Sequence, residues 1–170
     1  MITLKHKLTL LLAITITSAL FVACNDKDEP LIFEGKLVGA SGCKSFSSKN
    51  DDSFLSSKLL RVNYNFDAAT NKLMVTHFNA LFNCCPDSLY SVVSLINDTI
   101  LIREFAKAAA CRCTCLYDLD NAITGVEAKK YTIRIIVYGY KNPDIIFDID
   151  LKKIISGSVT IETDEYPWNN

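Results

Sequence analysis

The sequence has few of the residues that most often carry chemistry. It contains two histidines and one tryptophan, and only His77 lies beyond the N-terminal apolar stretch. A histidine-based catalytic triad would have to use His77, which lies in a strand-like segment and is more simply interpreted as a hydrogen-bonded strand residue. The lone Trp168, near the C-terminus, offers little for a glycan-binding platform of exposed aromatic rings.

Long basic runs are also missing. The 18 Lys and Arg residues nearly balance the 19 Asp and Glu residues, so the chain has no electrostatic footprint for nucleic acid. A helical stripe of apolar residues is missing as well, and from Leu31 onward apolar residues alternate with period two. These absences argue against a nucleic-acid partner and favour an all-β domain.

The N-terminus has the layout of an export signal. A basic start at residues 5–7 precedes an apolar run over residues 8–22, which is short for a membrane span. The run ends in Phe21-Val22-Ala23-Cys24, which resembles the lipobox of bacterial lipoproteins. We therefore expect residues 1–23 to be a cleaved lipoprotein signal peptide and Cys24 to carry the lipid. An ordinary secretory signal is the alternative.

A polar, mostly acidic segment follows the lipobox. Residues 24–30 end in Asn-Asp-Lys-Asp-Glu-Pro, which cannot pack and is expected to act as a tether. The segment resembles the surface-export signal of Bacteroidota-type lipoproteins, although a solvated linker explains it equally well. Residues 31–170 are then expected to form a single domain outside the cytoplasm, anchored in the outer membrane, with display at the cell surface as the further step that the resemblance implies.

The strand pattern predicts an antiparallel two-sheet β-sandwich of the immunoglobulin or fibronectin type. In residues 59–66 apolar and polar side chains alternate, so that one face is buried and the other is solvated. A polar loop over Gly39–Asp52 carries Cys43, and Lys107–Ala110 is typical of a helical turn. Nine strands are expected, at about residues 31–38, 59–66, 73–82, 89–96, 99–105, 111–122, 131–138, 145–151 and 158–163.

The segment 123–133 resembles the corner of immunoglobulin-like and fibronectin-type sandwiches. Gly125 is followed by Tyr131, which opens a late strand. In those sandwiches the tyrosine hydroxyl forms a hydrogen bond with the backbone of the preceding loop. A tyrosine that simply begins a strand is the alternative.

Six cysteines follow Cys24, and three of them alternate along one segment. On a strand, Cys111, Cys113 and Cys115 would share an inward face about 6.6 to 6.8 Å apart, near the upper limit for disulfide Cα atoms. Pairing within the triplet is therefore disfavoured, and its partners are expected among the remaining cysteines, which leaves six connectivities. Those partners are Cys43, Cys84 and Cys85. Because adjacent residues of a regular strand face opposite ways, the vicinal pair requires a bulge or turn, which Pro86 favours.

A thiolate metal centre is the alternative use of these cysteines. Several sulfurs in one place could supply four tetrahedral ligands to a soft ion such as Zn(II) or Cu(I). The candidates are Cys84, Cys85, Cys111, Cys113 and Cys115. A redox-active pair is a third hypothesis, but the chain lacks a Cys-x-x-Cys motif at a helix start. In an exported domain, two or three structural disulfides are the simpler interpretation.

Several further patterns carry weaker hypotheses. The alternating carboxylates Asp118, Asp120, Asp148 and Asp150 could bind Ca²⁺ if the fold placed them side by side, although a solvated face is the default. Ser41 and Lys44 match the Ser-x-x-Lys spacing but lie in a polar loop, so we treat the match as coincidence. Ser88 and Thr99 lie in Asp-Ser-Leu and Asp-Thr-Ile tripeptides that resemble O-glycosylation acceptors of Bacteroidota-type exported proteins.

Taken with the lipobox, the block from Asn83 to Val137 resembles a group of small uncharacterised Bacteroidota-type lipoproteins. Its most specific part is Cys-x-Cys-x-Cys-Leu-Tyr-Asp-Leu, and the resemblance implies an address and a fold but no reaction. We predict a non-enzymatic, disulfide-stapled surface lipoprotein without a cofactor, which acts as a binding or assembly component. Its partners would be the membrane, through the anchor, and an unknown protein or glycan. A metal-binding or redox-active cysteine cluster is the alternative.

Overall fold

The computed structural model describes residues 31–44, 59–107, 111–139 and 144–162. The predicted leader, Cys24, the tether and the helical turn after Lys107 lie outside these ranges. No helix among the described residues is long and apolar enough to cross a membrane. The described secondary structure consists of nine strands: β1 (Glu34–Ala40), β2 (Leu59–Asp67), β3 (Lys72–Asn83), β4 (Ser88–Ile96), β5 (Thr99–Lys107), β6 (Thr114–Thr124), β7 (Lys130–Val137), β8 (Ile145–Asp150) and β9 (Ser156–Glu162).

The strands form two sheets packed against each other, which confirms the β-sandwich. The five-stranded sheet has the order β1-β6-β3-β2-β9, and the four-stranded sheet has the order β4-β5-β7-β8. All neighbours are antiparallel except β5 and β7, which are parallel. The expectation of a wholly antiparallel sandwich is wrong for this pair because the chain leaves the four-stranded sheet after β5, adds β6 to the other sheet and returns as β7 in the same direction.

Alternation along the strands builds the core. In β3 the inward residues Leu73 and Val75 are fully buried, and in β7 Ile133 and Ile135 are fully buried. A second apolar cluster around Phe82 lies at the end where the cysteines are located. Gly35 lets β1 of one sheet lie close to β4 of the other. Any larger residue would clash there, because a Cβ on Gly35 would lie 2.5 Å from the Cβ of Val93.

The tyrosine corner is confirmed. The Tyr131 hydroxyl accepts a hydrogen bond of 3.1 Å from the backbone N–H of Glu127, and Gly125 adopts a left-handed φ of 71° at the turn before it. Burial raises the pKa of the Tyr131 phenol. The strand orders differ from the ABED and CFG sheets of immunoglobulin domains, so the shared features are the sandwich and this corner.

Replacing Tyr131 with Phe should lower the free energy of unfolding by about 1 kcal/mol, because the ring stays buried while the Glu127 N–H loses its acceptor. Urea unfolding measures the change. Tyr138→Phe is the matched control, since Tyr138 is 44% exposed, and its effect should stay within about 0.5 kcal/mol. Equal effects of the two substitutions would contradict a stabilising corner.

Candidate functional site

Three disulfides connect the cysteines at one end of the sandwich. The structure joins Cys43 to Cys115, Cys84 to Cys113 and Cys85 to Cys111, with Cα–Cα distances of 5.5, 5.5 and 6.1 Å. Each bridge pairs one cysteine of the alternating triplet with one cysteine outside it. This is one of the six connectivities that the sequence left open, and the vicinal residues Cys84 and Cys85 are not joined to each other.

A turn after β3 lets both vicinal cysteines reach the triplet. The Asn83 side chain accepts a hydrogen bond of 3.0 Å from the backbone N–H of Cys85 and donates one of 2.6 Å to the carbonyl of Cys111. The Cys84 N–H donates to the Cys113 carbonyl at 3.1 Å. Asn83 therefore holds the two chain segments together where the regular ladder ends.

The inward face expected for all three triplet sulfurs is found only at Cys115. Cys115 is buried in the second apolar cluster, whereas Cys111 and Cys113 are exposed. The expectation is wrong for these two because β6 begins at Thr114, so that strand alternation does not extend back to Cys111. The disulfides that Cys111 and Cys113 form therefore lie at the surface.

The Cys43 bridge fastens a segment that continues β1 along β6. The backbone N–H of Lys44 donates to the Leu116 carbonyl at 3.0 Å, and the N–H of Ser41 donates to the Asp118 carbonyl at 2.9 Å. The Lys44 ammonium forms an ion pair with Asp118 and donates a 3.0 Å hydrogen bond to Asn79. The start of the predicted polar loop is thus held in place by ladder-like bonds.

Three sulfurs lie close enough to one another to share a metal ion geometrically. The Sγ atoms of Cys84, Cys85 and Cys111 all lie within 4.8 Å of one another. Each of them is bonded to another sulfur, and thiolate, not disulfide sulfur, is the ligand that binds zinc or copper tightly. The arrangement could bind such an ion only after reduction.

His77, Glu104 and Asn121 form a buried polar cluster that joins the two sheets. Nδ1 of His77 lies 2.7 Å from Oε2 of Glu104, and the Asn121 amide donates to the other carboxylate oxygen at 3.2 Å. His77 and Asn121 belong to the five-stranded sheet and Glu104 to the four-stranded sheet. Their exposed fractions are 1%, 0% and 0%, so His77 is a hydrogen-bonded strand residue that cannot contact a molecule in solvent.

Sequence reasoning did not identify Glu104 and Asn121, although a signal was present. Glu104 follows the inward residues Ile100 and Ile102 at a spacing of two, and Asn121 lies between the inward residues Leu119 and Ile123. A polar residue at a core position of a strand indicates a buried polar contact. The partner of each could not be deduced, because the contact joins different sheets.

The remaining sequence candidates do not form a site. Asp118 and Asp120 lie on β6 and Asp148 and Asp150 on β8, in different sheets, so the four carboxylates do not converge. Each has its own hydrogen-bond or ion-pair partner; for example, Asp120 accepts a hydrogen bond of 2.7 Å from Thr76 on the neighbouring strand β3. Ser41 and Lys44 both contact Asp118. Ser88 and Thr99 begin β4 and β5, and their glycosylation stays a prediction, as does lipidation of Cys24.

The outer face of the four-stranded sheet is a second candidate that sequence reasoning missed. The rings of Tyr90 on β4, Phe105 on β5 and Tyr138, which directly follows β7, stack with centroids 5.1 and 4.6 Å apart. Exposed aliphatic residues continue the same face along β4 and β8: Val92, Ile96 and Ile146. The signal was the presence of large apolar residues at outward positions of β4, namely Tyr90, Val92 and Ile96. The outer face of the five-stranded sheet, in contrast, has a depression of about 460 Å³ rich in Asn, Ser and Thr.

No family model, curated protein or solved structure matches this chain. Its function must therefore be argued from its own residues.

We expect the three bridges to contribute unequally to stability. Cys43→Ser/Cys115→Ser should lower the free energy of unfolding by about 4 kcal/mol, because the bridge spans 72 residues. Cys85→Ser/Cys111→Ser should cost about 2 kcal/mol or less, because the bridge from Cys84 to Cys113 closes nearly the same loop. Urea unfolding of each double variant measures the difference.

The pairing has its own control. Thiol titration of the unfolded chain should find no additional free thiol in Cys84→Ser/Cys113→Ser. Each single variant should leave one free thiol at the partner position, so alkylation and peptide mapping should find it at Cys113 in Cys84→Ser and at Cys111 in Cys85→Ser. An alkylated Cys111 in Cys84→Ser would contradict this connectivity.

Removing the carboxylate from the buried polar cluster should be costly. Glu104→Ala is expected to lower the free energy of unfolding by about 3 to 5 kcal/mol, because it leaves His77 and Asn121 buried without their partner. The double variant His77→Phe/Glu104→Leu should recover part of this loss. Asp144→Ala, which breaks the exposed ion pair with Arg134, is the control and should cost less than about 1 kcal/mol. A loss as small for Glu104→Ala as for the control would show that the buried contact does not form.

Proposed function

We propose that this protein is a non-enzymatic, lipid-anchored binding or assembly module on the outer side of the bacterial envelope, carried by the outer membrane. The lipobox-like sequence before Cys24 and the acidic tether after it support the anchor. Three disulfides in a domain of this size support an oxidising compartment. The partner is a protein or a glycan held by the folded sandwich, while the lipid keeps the chain at the membrane.

The observation that carries the proposal is the outer face of the four-stranded sheet. Exposed apolar side chains occupy it on both edge strands, with 45% exposure at Tyr90, 54% at Ile96 and 56% at Ile146. An antiparallel sheet that faces water on one side normally places polar residues there. The stacked rings of Tyr90, Phe105 and Tyr138 form the continuous apolar part of this face, and an exposed apolar patch of this kind marks an interaction site. Arg103 and Arg134 lie on the same face, between the two edge strands.

A thiol-based function is the second candidate, and the proximity of three sulfurs favours it. Reduction of the two exposed bridges would free Cys84, Cys85, Cys111 and Cys113 at one end of the sandwich, as potential ligands for Zn(II) or Cu(I). Stoichiometric metal in the chain as purified, together with free thiols, would favour this function over the binding module.

Labelling of single introduced cysteines tests the binding face. Ile146→Cys places a thiol on the outer face of the four-stranded sheet, and Asn65→Cys places one on the polar outer face of the other sheet. Both should react with a membrane-impermeant maleimide in the purified chain. In intact envelopes we expect Ile146→Cys to be labelled at least about fivefold more slowly, because a partner covers it, whereas Asn65→Cys should keep its rate.

Equal labelling of both positions in purified chain and envelope would contradict the binding face. The anchor is tested in the same preparation: metabolic labelling with a fatty acid should mark the wild-type chain and be lost in Cys24→Ala. Lipid labelling that persists in Cys24→Ala would contradict the anchor alone.

A further inference from the structure

Strand β4 lies at the edge of the four-stranded sheet, and its second hydrogen-bonding side is unpaired within the described part of the chain. It pairs with β5 over nine residues in continuous register, from Ser88 opposite Lys107 to Ile96 opposite Thr99, without a bulge. Among the described residues no second strand pairs with it. β1 packs on β4 through Gly35 and the side chain of Val93, so it covers the inner face of β4 and forms no ladder with it.

β4 lacks the features that normally protect such an edge. Exposed edges are blunted by charged side chains, proline, bulges or short length, because unpaired N–H and C=O groups are a template for another strand. The sequence of β4 is Ser-Leu-Tyr-Ser-Val-Val-Ser-Leu-Ile, which has no charge and no proline and is rich in residues that favour strands.

The other three edges are protected. β1 has an irregular register between Leu37 and Gly39 and carries Glu34 and Lys36. β8 is six residues long and contains two aspartates. β9 contains a glycine near its start and ends in a glutamate. β4 is therefore the one edge of the described sheets whose composition and length favour pairing.

A second copy of the chain supplies a matching strand. In an antiparallel pair related by a two-fold axis at Val92, all nine residues of β4 find a partner, and Val92 lies opposite Val92 of the other copy. Each outward-facing residue of β4 then lies opposite an outward-facing residue of the other copy, and each inward-facing residue lies opposite an inward-facing one. Like charges would meet across such an axis if β4 carried any, and it carries none. A foreign extended peptide could use the same edge, but the second copy brings a strand of equal length and compatible pattern.

We propose that β4 pairs antiparallel with β4 of a second copy, forming an isologous dimer with one continuous eight-stranded sheet. The two apolar outer faces become neighbours in that sheet, which extends the surface that bears the stacked rings of Tyr90, Phe105 and Tyr138. Pairing through the backbone edge of β4 does not depend on whether the outer face binds a further partner.

Sedimentation of the full chain in detergent, with micelles in excess over protein, tests the dimer. The wild-type chain should sediment at twice the monomer mass. Val92→Lys places two ammonium groups at the axis and should raise the dimer dissociation constant at least about tenfold. Ile146→Lys is the matched control, because Ile146 is exposed on the same face but on the opposite edge strand, and it should leave the dimer intact. Circular dichroism and thermal unfolding verify that both variants stay folded, as is expected because an edge lysine suits a solvent-facing strand position.

Cross-linking tests the axis itself. Across an antiparallel pair, directly opposite Cα atoms lie about 4.5 to 5.5 Å apart, which is within the range for a disulfide. Val92→Cys should therefore form a covalent dimer on mild oxidation, and Ile146→Cys should not.

A monomeric wild-type chain at about 100 μM, or equal cross-linking of the two variants, would overturn the proposal. Cross-linking of Val92→Cys to a different polypeptide, with the purified chain monomeric, would overturn it in favour of a foreign strand. If Ile146→Cys were labelled as fast in envelopes as in the purified chain, that result would count against the binding face but not against this dimer.

Discussion

The backbone ladder that β6 forms with β1 and β3 is the constraint on which the rest of the structure depends. β6 lies between these two strands in the five-stranded sheet, and every disulfide has one end in β6 or just before it. The other ends lie in the continuation of β1 and in the turn after β3. The bridges therefore join segments that the ladder has already made neighbours, and they fasten the pairing at the end where the regular hydrogen bonds stop.

The buried contact between His77 and Glu104 has a different role, since it acts between the sheets. Apolar side chains tolerate many relative positions of two packed sheets, because dispersion and burial are not directional. A buried carboxylate with two hydrogen-bonded partners tolerates few, since sliding one sheet would leave it unpaired in the core. We infer that Glu104, held by His77 and Asn121, restricts which residues of the two sheets face each other.

The two outer faces of the sandwich differ in chemistry. The face of the five-stranded sheet has a depression lined by amides and hydroxyls, whereas the face of the four-stranded sheet presents stacked rings and aliphatic side chains together with Arg103 and Arg134. The unprotected edge of β4 borders the apolar face. In the function that we propose, the chain would use both at once, pairing through the edge and binding through the face. The disulfide end supports this arrangement by stabilising the scaffold.

Much of the fold could be predicted from local pattern, and much of the candidate site could not. The period-two alternation of residues such as Leu73, Val75 and His77 determined the strands, their buried faces and the β-sandwich class, because side chains of a strand alternate whatever its neighbours are. The corner at Tyr131 was equally local. In contrast, the register of β3 with β6 shifts between His77 and Ala80, where Asn79 adopts a φ of 63°, and the alternation gave no signal of this irregularity. Only the tertiary structure decided which cysteines pair, that β5 lies parallel to β7, and that Glu104 meets His77, because each depends on which distant segments become neighbours when the two sheets close.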